Sequence, residues 1–335
     1  MDKFITLNHG SGGKLTGELI RDVFAGRFGL SDPLTDSAIL EKSGFKMAFT
    51  TDSYVVDPLF FPGGNIGKLA VCGTINDLSV SGALPVYLSA AFIIEEGFLL
   101  NDLIRIADSM AEEAKTAGVR IVTGDTKVVE KGKCDGLYIT TSGFGYLRTG
   151  YEQISSAQNV REGDRLLISG PVGNHSVAVM GARKKLSFST PVESDVASLN
   201  HLIGKVLDRS REIHFMRDLT RGGLATVLNE LCKMTGMGIE INESCVPVEE
   251  PVKGLCEILG FDPLYLANEG KALIVTGEKD YEEVLEVLKS DILGKQASVI
   301  GKVKDDRKQM VVMNTSIGGK RILDLHSGMQ LPRIC

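Results

Sequence analysis

The segment KMAFTTDSYVVD, Lys46 to Asp57, is dense in β-branched and aromatic residues and is closed by Asp57-Pro58, so it reads as a strand. Downstream, Asn65 is a capping residue ahead of an apolar run, and a helix is expected to about Ser81. Leu103, Ala107, Met110 and Ala114 then form an apolar stripe at helical spacing, with Gly118 as the stop. Val119–Val129 and Leu137–Leu147 read as further strands. After the polar run Tyr151–Gly163, which ends in the turn-like Arg161-Glu162-Gly163-Asp164, the alternation resumes. A strand is expected at Arg165–Ser169, helices at about 195–209 and 222–235, a strand at Lys271–Thr276 and a helix at Tyr281–Leu288. Such alternation gives an α/β or α+β layered fold. At roughly 150 residues per domain, 335 residues make two domains. The expected bounds are 1–155 and 156–326, followed by a tail, 327–335 (SGMQLPRIC), without periodicity and expected to be loose.

Hydrophobic residues make up 43% of the chain and charged residues 24%, with a formal net charge of −6, the balance of a soluble globular protein. No basic face is clustered enough for nucleic acid; the tightest group, Arg183-Lys184-Lys185, reads as a solvated helix end. The longest apolar stretch, Ala83–Ile94, is broken by Pro85 and Ser89 and falls short of the ~20 residues of a membrane span. Met1-Asp2-Lys3-Phe4 lacks the basic-then-apolar start of a secretory signal, so a cytoplasmic location is expected. Six cysteines without CxxC spacing suggest neither a zinc site nor a disulfide framework. The 38 glycines exceed the ~7% average, and glycine collects where a chain turns tightly or approaches a ligand.

One such collection is His9-Gly10-Ser11-Gly12-Gly13-Lys14. Its backbone N–H groups can form an anion nest to which Lys14 adds charge, or the loop can be a flexible lead into a helix near Thr16. It lacks the spacer and the Ser/Thr after lysine of a Walker A loop. Carboxylates recur in short polar clusters: Asp52 in Thr50-Thr51-Asp52, Asp77 in Asn76-Asp77, Asp125 in Thr123-Gly124-Asp125-Thr126-Lys127, and Asp218 in Arg217–Gly223 (RDLTRGG). Asp77 shares a helix face with Ile66, Ala70 and Gly73, where a carboxylate needs a partner, a metal or a cavity. Asp125 and Lys127 project from one face of a strand, either as a simple ion pair or as part of a site. Asp218 or Thr220 can cap the helix beginning at Gly222-Gly223, or that helix start can hold an anion. Asn268-Glu269-Gly270-Lys271 is a turn or sets a carboxylate at a strand edge. Carboxylates beside an anion site need a divalent cation between them and phosphate, so Mg2+ with a nucleoside triphosphate is the chemistry that fits.

Cys335 is the last residue, preceded by Pro332 and Arg333, with Gly328 as a hinge. Extended, residues 327–335 reach roughly 30 Å at about 3.3–3.6 Å each, so the thiol can enter one site and leave for another. Arg333 favours the thiolate and the adjacent carboxylate opposes it. An incidental exposed cysteine is the other reading.

HGSGGK, TTDSYVV, the Asn76-Asp77 helix, TGDTKVV, DLTRGGLA, NEGK and PRIC together resemble the HypE family of hydrogenase maturation proteins, within the wider group of aminoimidazole ribonucleotide synthetase-like ATP enzymes. The resemblance runs from His9 to Cys335; the internal motifs mark the wider group and Pro332-Arg333-Ile334-Cys335 marks the family. It implies a homodimer whose N-terminal domains pair through their sheets, with ATP at the subunit junction and a layered α+β C-terminal domain. It further implies that Asp36, Asp52, Asp77 and Asp218 hold Mg2+. The loop His9, Gly10, Ser11, Gly12, Gly13 and Lys14 would close on the nucleotide, with Asp125, Thr126, Gly222, Gly223 and Asn268 also on the nucleotide side. Cys335 would take a carbamoyl group from the partner HypF, and ATP would drive dehydration of the S-carboxamide to an S-cyanate, with Lys127 polarising and Glu269 as base. The cyanide would pass to iron held by a HypC–HypD complex. The alternatives are a relative acting on a diffusible substrate, of the selenophosphate synthetase or thiamine-phosphate kinase type, and a metal carrier using Cys335 and His326. The first of these normally has a Cys or selenocysteine ahead of the glycine loop, and Leu7-Asn8-His9 contains none.

Overall fold

The structure, a computed structural model, describes residues 5–10, 13–28, 35–42, 44–183, 192–306, 309–325, 331 and 333–335. The first half begins with α1 (Lys14–Leu19), a π-helical turn at Ile20–Ala25 and α2 (Gly26–Phe28). Strands β1 (Ala38–Lys42) and β2 (Phe45–Tyr54) follow, then a short hairpin of β3 (Phe60–Phe61) and β4 (Gly64–Asn65) leading into α3 (Ile66–Val80). Next come β5 (Ala83–Glu95), α4 (Leu100–Ala117), β6 (Arg120–Val129) and β7 (Leu137–Leu147). These strands form a five-stranded sheet in the order β1-β2-β7-β5-β6.

The second half runs β8 (Arg165–Ile168), α5 (Asn174–Arg183), α6 (Asn200–Arg209), β9 (Ile213–Asp218), α7 (Gly223–Thr235) and β10 (Gly238–Asn242). It continues with α8 (Glu250–Leu259), β11 (Ala272–Thr276), α9 (Tyr281–Lys289), β12 (Ser298–Lys304), β13 (Val311–Asn314) and β14 (Lys320–Leu323). Its seven-stranded sheet has the order β14-β13-β10-β12-β8-β11-β9, so β9, which ends at Asp218, is an edge strand. This is the expected layered mixture of helix and sheet. Among the described residues, no helix is long and apolar enough to cross a membrane.

Asn65 caps α3 as its position suggests, its side-chain oxygen accepting from Gly67 N–H at 2.8 Å and Lys68 N–H at 3.1 Å. The helix is buried along nearly its whole length, because it lies on the five-stranded sheet and also meets α4, α6 and β9. Gly73 makes the approach to the sheet possible: a Cβ there would fall on the Tyr54 hydroxyl. On α4 the buried stripe is Ile106, Met110, Ala114 and Ala117, while Ala107 is exposed. Both registers satisfy helical spacing, and the larger apolar residue takes the inward position. The sheet's other face is open. Antiparallel register puts Leu40, Phe49, Tyr87, Ile93 and Tyr146 on it, and all five are exposed.

In the second half, His214 is buried between Asp164, 2.7 Å from its Nδ1, and Glu212, 3.2 Å from its Nε2. Burial works against the imidazolium, but the hydrogen bonds and charges of Asp164 and Glu212 win, and the pKa is raised. A raised folded-state pKa stabilises the protein fully below the unfolded value, about 6.5, and the contribution fades as pH rises through the folded value. Thermal melts of His214→Gln should therefore differ from those of the parent more at about pH 5.5 than at about pH 9. An equal difference at both would exclude this ion pair as the source.

Candidate active site

Asp36 lies just before β1, Asp77 near the end of α3 and Asp218 at the end of β9, so the junction of the two sheets gathers three carboxylates. One oxygen from each lies within 4.8 Å of the others. Thr50 Oγ sits 2.8 Å from both the Asp36 carbonyl and Asp77 Oδ2. Arg217 grips Asp36 with Nε, at 2.9 and 3.0 Å from the two carboxylate oxygens, and also pairs with Glu230. Asp52, on the α3 side of β2, accepts from the Tyr54 hydroxyl at 3.2 Å.

Burial raises the Asp77 carboxyl well above its ordinary value, and the charges of Asp52, Asp218 and Asp36 push it further. Asp218 is raised by burial, then by Asp36 and Asp52, against the opposing pull of Arg217 and Arg221. Asp52 is raised by burial too, with Arg221 and Tyr54 opposing. Half-buried and buried all-oxygen carboxylates that repel one another in this way are the donor set of a hard divalent cation, so the residues fit Mg2+. A helix-capping role for Asp218 or Thr220 is not found: α7 starts at a glycine cap without a side-chain bond.

Glu269 lies within electrostatic range of this group, 3% exposed, and its Oε1 has no hydrogen-bond partner among the described residues. Burial first, then Asp218, Asp195 and Asp52, raise its carboxyl well above the usual range, with Arg221 opposing. Its loop is fixed from outside: Asp195 accepts from Glu269 N–H at 3.3 Å and Gly270 N–H at 3.2 Å. Asn76, next to Asp77, ties the same place by donating to the Ala197 and Glu269 carbonyls and accepting from Leu199 N–H.

Residues 333–335 of the expected loose tail are docked here. Val55 N–H donates to the Cys335 main-chain oxygen at 3.1 Å and Asp57 N–H to the Arg333 carbonyl at 3.2 Å, which extends the line of β2. Arg333 Nε donates to the Val55 carbonyl at 2.9 Å and its guanidinium pairs with Asp135. Ile334 is buried in the core with Val56, Phe61 and Val179. Cys335 is a half-buried free thiol. Burial, with Glu269, Asp52 and Asp218 adding and Arg221 opposing, pushes it up to about 12. Gly328, Pro332 and His326 lie outside the described residues.

Other expected residues fall elsewhere. Asp125, Thr126 and Lys127 are exposed on β6, the sheet's edge. Register with Ala91 and Ile93 puts Asp125 and Lys127 on the open face, opposite α3 and the carboxylates. There they pair at 2.7 Å, the simple ion pair that was one reading of their spacing. Asn268 is fully buried and its amide serves backbone, accepting from Gly173 N–H and donating to the Leu219 and Leu266 carbonyls. That commitment makes it a scaffold for the Glu269 loop. Gly222 and Gly223 have φ of +80° and +60°, and a Cβ on Gly223 would meet the Leu266 and Leu264 carbonyls, so turn geometry and close packing require them. His9 is buried with Nδ1 accepting from Thr6 N–H at 3.1 Å; Gly13 and Lys14 start α1, and Ser11 and Gly12 lie outside the described residues.

Four site residues escaped the sequence reading. Arg221 influences Cys335, Asp52 and Glu269 electrostatically and stands inside the RDLTRGG cluster three residues after Asp218, where a second cation beside the carboxylate was a visible signal. Asp195, His175 and Arg183 carry no local signal, because their partners are far away in sequence. Arg183, expected as a solvated helix end, instead donates to the Asp57 carbonyl at 2.7 Å and the Arg333 carbonyl at 2.6 Å.

The chain matches two families along its length: residues 34–147 match the AIR synthase related protein, N-terminal domain, and residues 161–314 its C-terminal domain. The carbamoyl dehydratase HypE of Rhodobacter capsulatus is 48% identical over 339 residues, covering 100% of this chain and 99% of that one. A crystal structure of a HypE–HypF complex aligns with a TM-score of 0.87 at 52% identity, over 92% of this chain and 99% of that chain. A structure of the hydrogenase maturation protein HypE in complex with ATP aligns at 0.84 and 45%, over 99% and 100%. With the carboxylate cluster and docked cysteine in place and this likeness spanning the whole chain, the protein belongs to the HypE family of carbamoyl dehydratases.

Proposed function

We propose that the protein dehydrates an S-carboxamide on Cys335 to an S-cyanate with ATP, providing the cyanide ligand of [NiFe] hydrogenase iron. The observation that carries this reading is the docking of the chain end at Val55, Asp57, His175 and Arg183, which brings Cys335 within electrostatic range of Glu269, Arg221 and the carboxylates Asp52 and Asp218. The carboxamide oxygen attacks the γ-phosphorus of ATP; its bond to carbon then breaks, the oxygen leaving as phosphate, and the two N–H protons are lost. Cys335–S–C≡N, ADP and phosphate remain. In its ionised form Glu269, whose Oε1 has no hydrogen-bond partner among the described residues, takes a proton, its raised pKa making that carboxylate a stronger base. Arg221 is the cation within electrostatic reach of the sulfur. Mg2+ held by Asp36, Asp77 and Asp218, with Asp52 beside them, would neutralise charge on the triphosphate.

The docked thiol is held protonated, and a protonated thiol is a poor nucleophile. Carbamoylation therefore belongs to an undocked chain end that meets the donor, for which the likeness to a HypE bound to HypF supports HypF. A carboxamide carries no charge, so the loaded cysteine returns among the carboxylates without the repulsion a thiolate meets. The acceptor is then an iron complex of the HypC–HypD kind, in the cytoplasm. Tethering the carbamoyl group replaces a pocket for a free substrate.

Two copies pair through the open face of the five-stranded sheet, whose exposed Leu40, Phe49, Tyr87, Ile93 and Tyr146 form an apolar surface of interface type. Asp125 and Lys127 share that face, so they take part in a reaction centre across the dimer, not in their own chain's. Glu269→Gln tests the assignment of the base. With Cys335 already carbamoylated, single-turnover conversion to cyanate should slow by ~10²-fold or more, while ATP binding persists. An unchanged rate would remove Glu269 from the role.

A further inference from the structure

Both ends of α5 hold the docked chain end. At its start, His175 is fully buried, with Nε2 2.7 Å from the Ile334 carbonyl and Nδ1 2.7 Å from Ser194 Oγ. A carbonyl only accepts, so Nε2 carries the proton and Nδ1 accepts from the Ser194 hydroxyl. Ser194 Oγ in turn accepts from Val196 N–H at 3.1 Å, which leaves its own proton for the ring. Burial lowers the His175 pKa, in keeping with this neutral tautomer, and Phe61 packs edge-on against the ring at 5.4 Å. At the far end of α5, Arg183 binds the preceding carbonyl, that of Arg333, as well as the Asp57 carbonyl.

Arg333 has φ +53°, in the left-handed region that a non-glycine residue occupies when its surroundings impose it. Here the imposing contacts are Asp57 N–H and Arg183 on its carbonyl, and Val55 and Asp135 on its side chain. The latch is also linked to the chemistry. Ser194 sets the His175 tautomer, and its neighbour Asp195 holds the Glu269 and Gly270 N–H groups.

We propose that His175 and Arg183 are positioning residues, which seat the Ile334 and Arg333 carbonyls and so fix where Cys335 stops beside Glu269. This rests on Cys335 as the carrier of the reacting group. Neither residue touches the reacting atoms. Their loss lowers the fraction of time Cys335 is docked and leaves the other cysteines as they were.

The test is maleimide labelling of the full chain, followed peptide by peptide, with half-buried Cys245 and buried Cys232 as internal references. Cys335 in His175→Ala should label about tenfold faster than in the parent, corresponding to ~1.4 kcal/mol of lost docking. Arg183→Gln, at a less buried helix end, should accelerate Cys335 several-fold. His175→Gln, whose amide can still donate to the Ile334 carbonyl, should return the rate toward the parent's. Unchanged Cys335 labelling in both His175→Ala and Arg183→Gln overturns the proposal. So does a parallel rise at Cys245 and Cys232, which marks general loosening. Adduct formation on Cys335, read by mass in the same samples, separates the two ideas: normal cyanation with unchanged labelling sinks the latch alone, and no adduct even in the parent sinks the carrier reading.

Discussion

Cys335→Ala is expected to bind ATP as the parent does and to form no cyanate at all. The cluster of Asp36, Asp77 and Asp218 is built from elements that do not depend on the last residue, so the site proposed for Mg2+ and ATP survives the change. Ile334 and Arg333 retain their own anchors, so the docked chain end survives as well. What is lost is the sulfur proposed to carry the carbamoyl group, and buried Cys72, Cys232 and Cys256, with raised thiol pKa values, do not replace it. Product is measured as cyanate on protein and ATP binding by calorimetry. An enzyme acting on a diffusible substrate would keep its full turnover in this variant, which is the outcome that would displace the carrier reading.

Asp77→Asn should separate stability from function. The parent carboxyl is buried among Asp52, Asp218 and Asp36, and its pKa is raised well above the unfolded value. The native state thus holds more protons than the unfolded one, and without metal the protein should gain stability as pH falls from about 8 toward 5. Asparagine has nearly the same shape, can still accept from Thr50 and carries no charge to repel. In chelator at neutral pH its melting temperature should therefore equal or exceed the parent's, and the gain at low pH should shrink. With Mg2+ and ATP the order reverses. The parent should gain ~2.7 kcal/mol at a hundredfold excess over Kd, and the variant little of it. Turnover should fall by ~10²-fold or more, since charge on the transferring phosphoryl is no longer met. A variant that melts lower in chelator yet keeps its response to Mg2+ and ATP would show that Asp77 is structural.

Legibility in the sequence followed the range of the forces involved. The β2 strand, the cap at Asn65 and the stop at Gly118, where φ is +71°, are local events and were readable from neighbouring residues. Asp77 announced itself as a carboxylate on an apolar helix face, and the structure places it with Asp36 and Asp218. The expected helix at 195–209 begins only at Asn200, because Ala197 and Leu199 N–H groups bond the Glu269 carbonyl and Asn76 across the junction. The helix α5 and the short strands β10, β13 and β14 have weak periodic signals and take their shape from the sheet and core they join. The docked chain end was least readable of all. Its order comes from Val55, Asp57, His175 and Arg183, residues more than a hundred positions away, and nothing within SGMQLPRIC records them.

Intact-mass and peptide-mass analysis of the protein, incubated with carbamoyl phosphate, ATP and the HypF carbamoyltransferase, tests the carrier role of Cys335 most directly. The expected result is a gain of ~43 Da confined to the peptide ending in Cys335, converting to ~25 Da as the S-carboxamide becomes the S-cyanate. Cyanide formed without any adduct on Cys335 would contradict it.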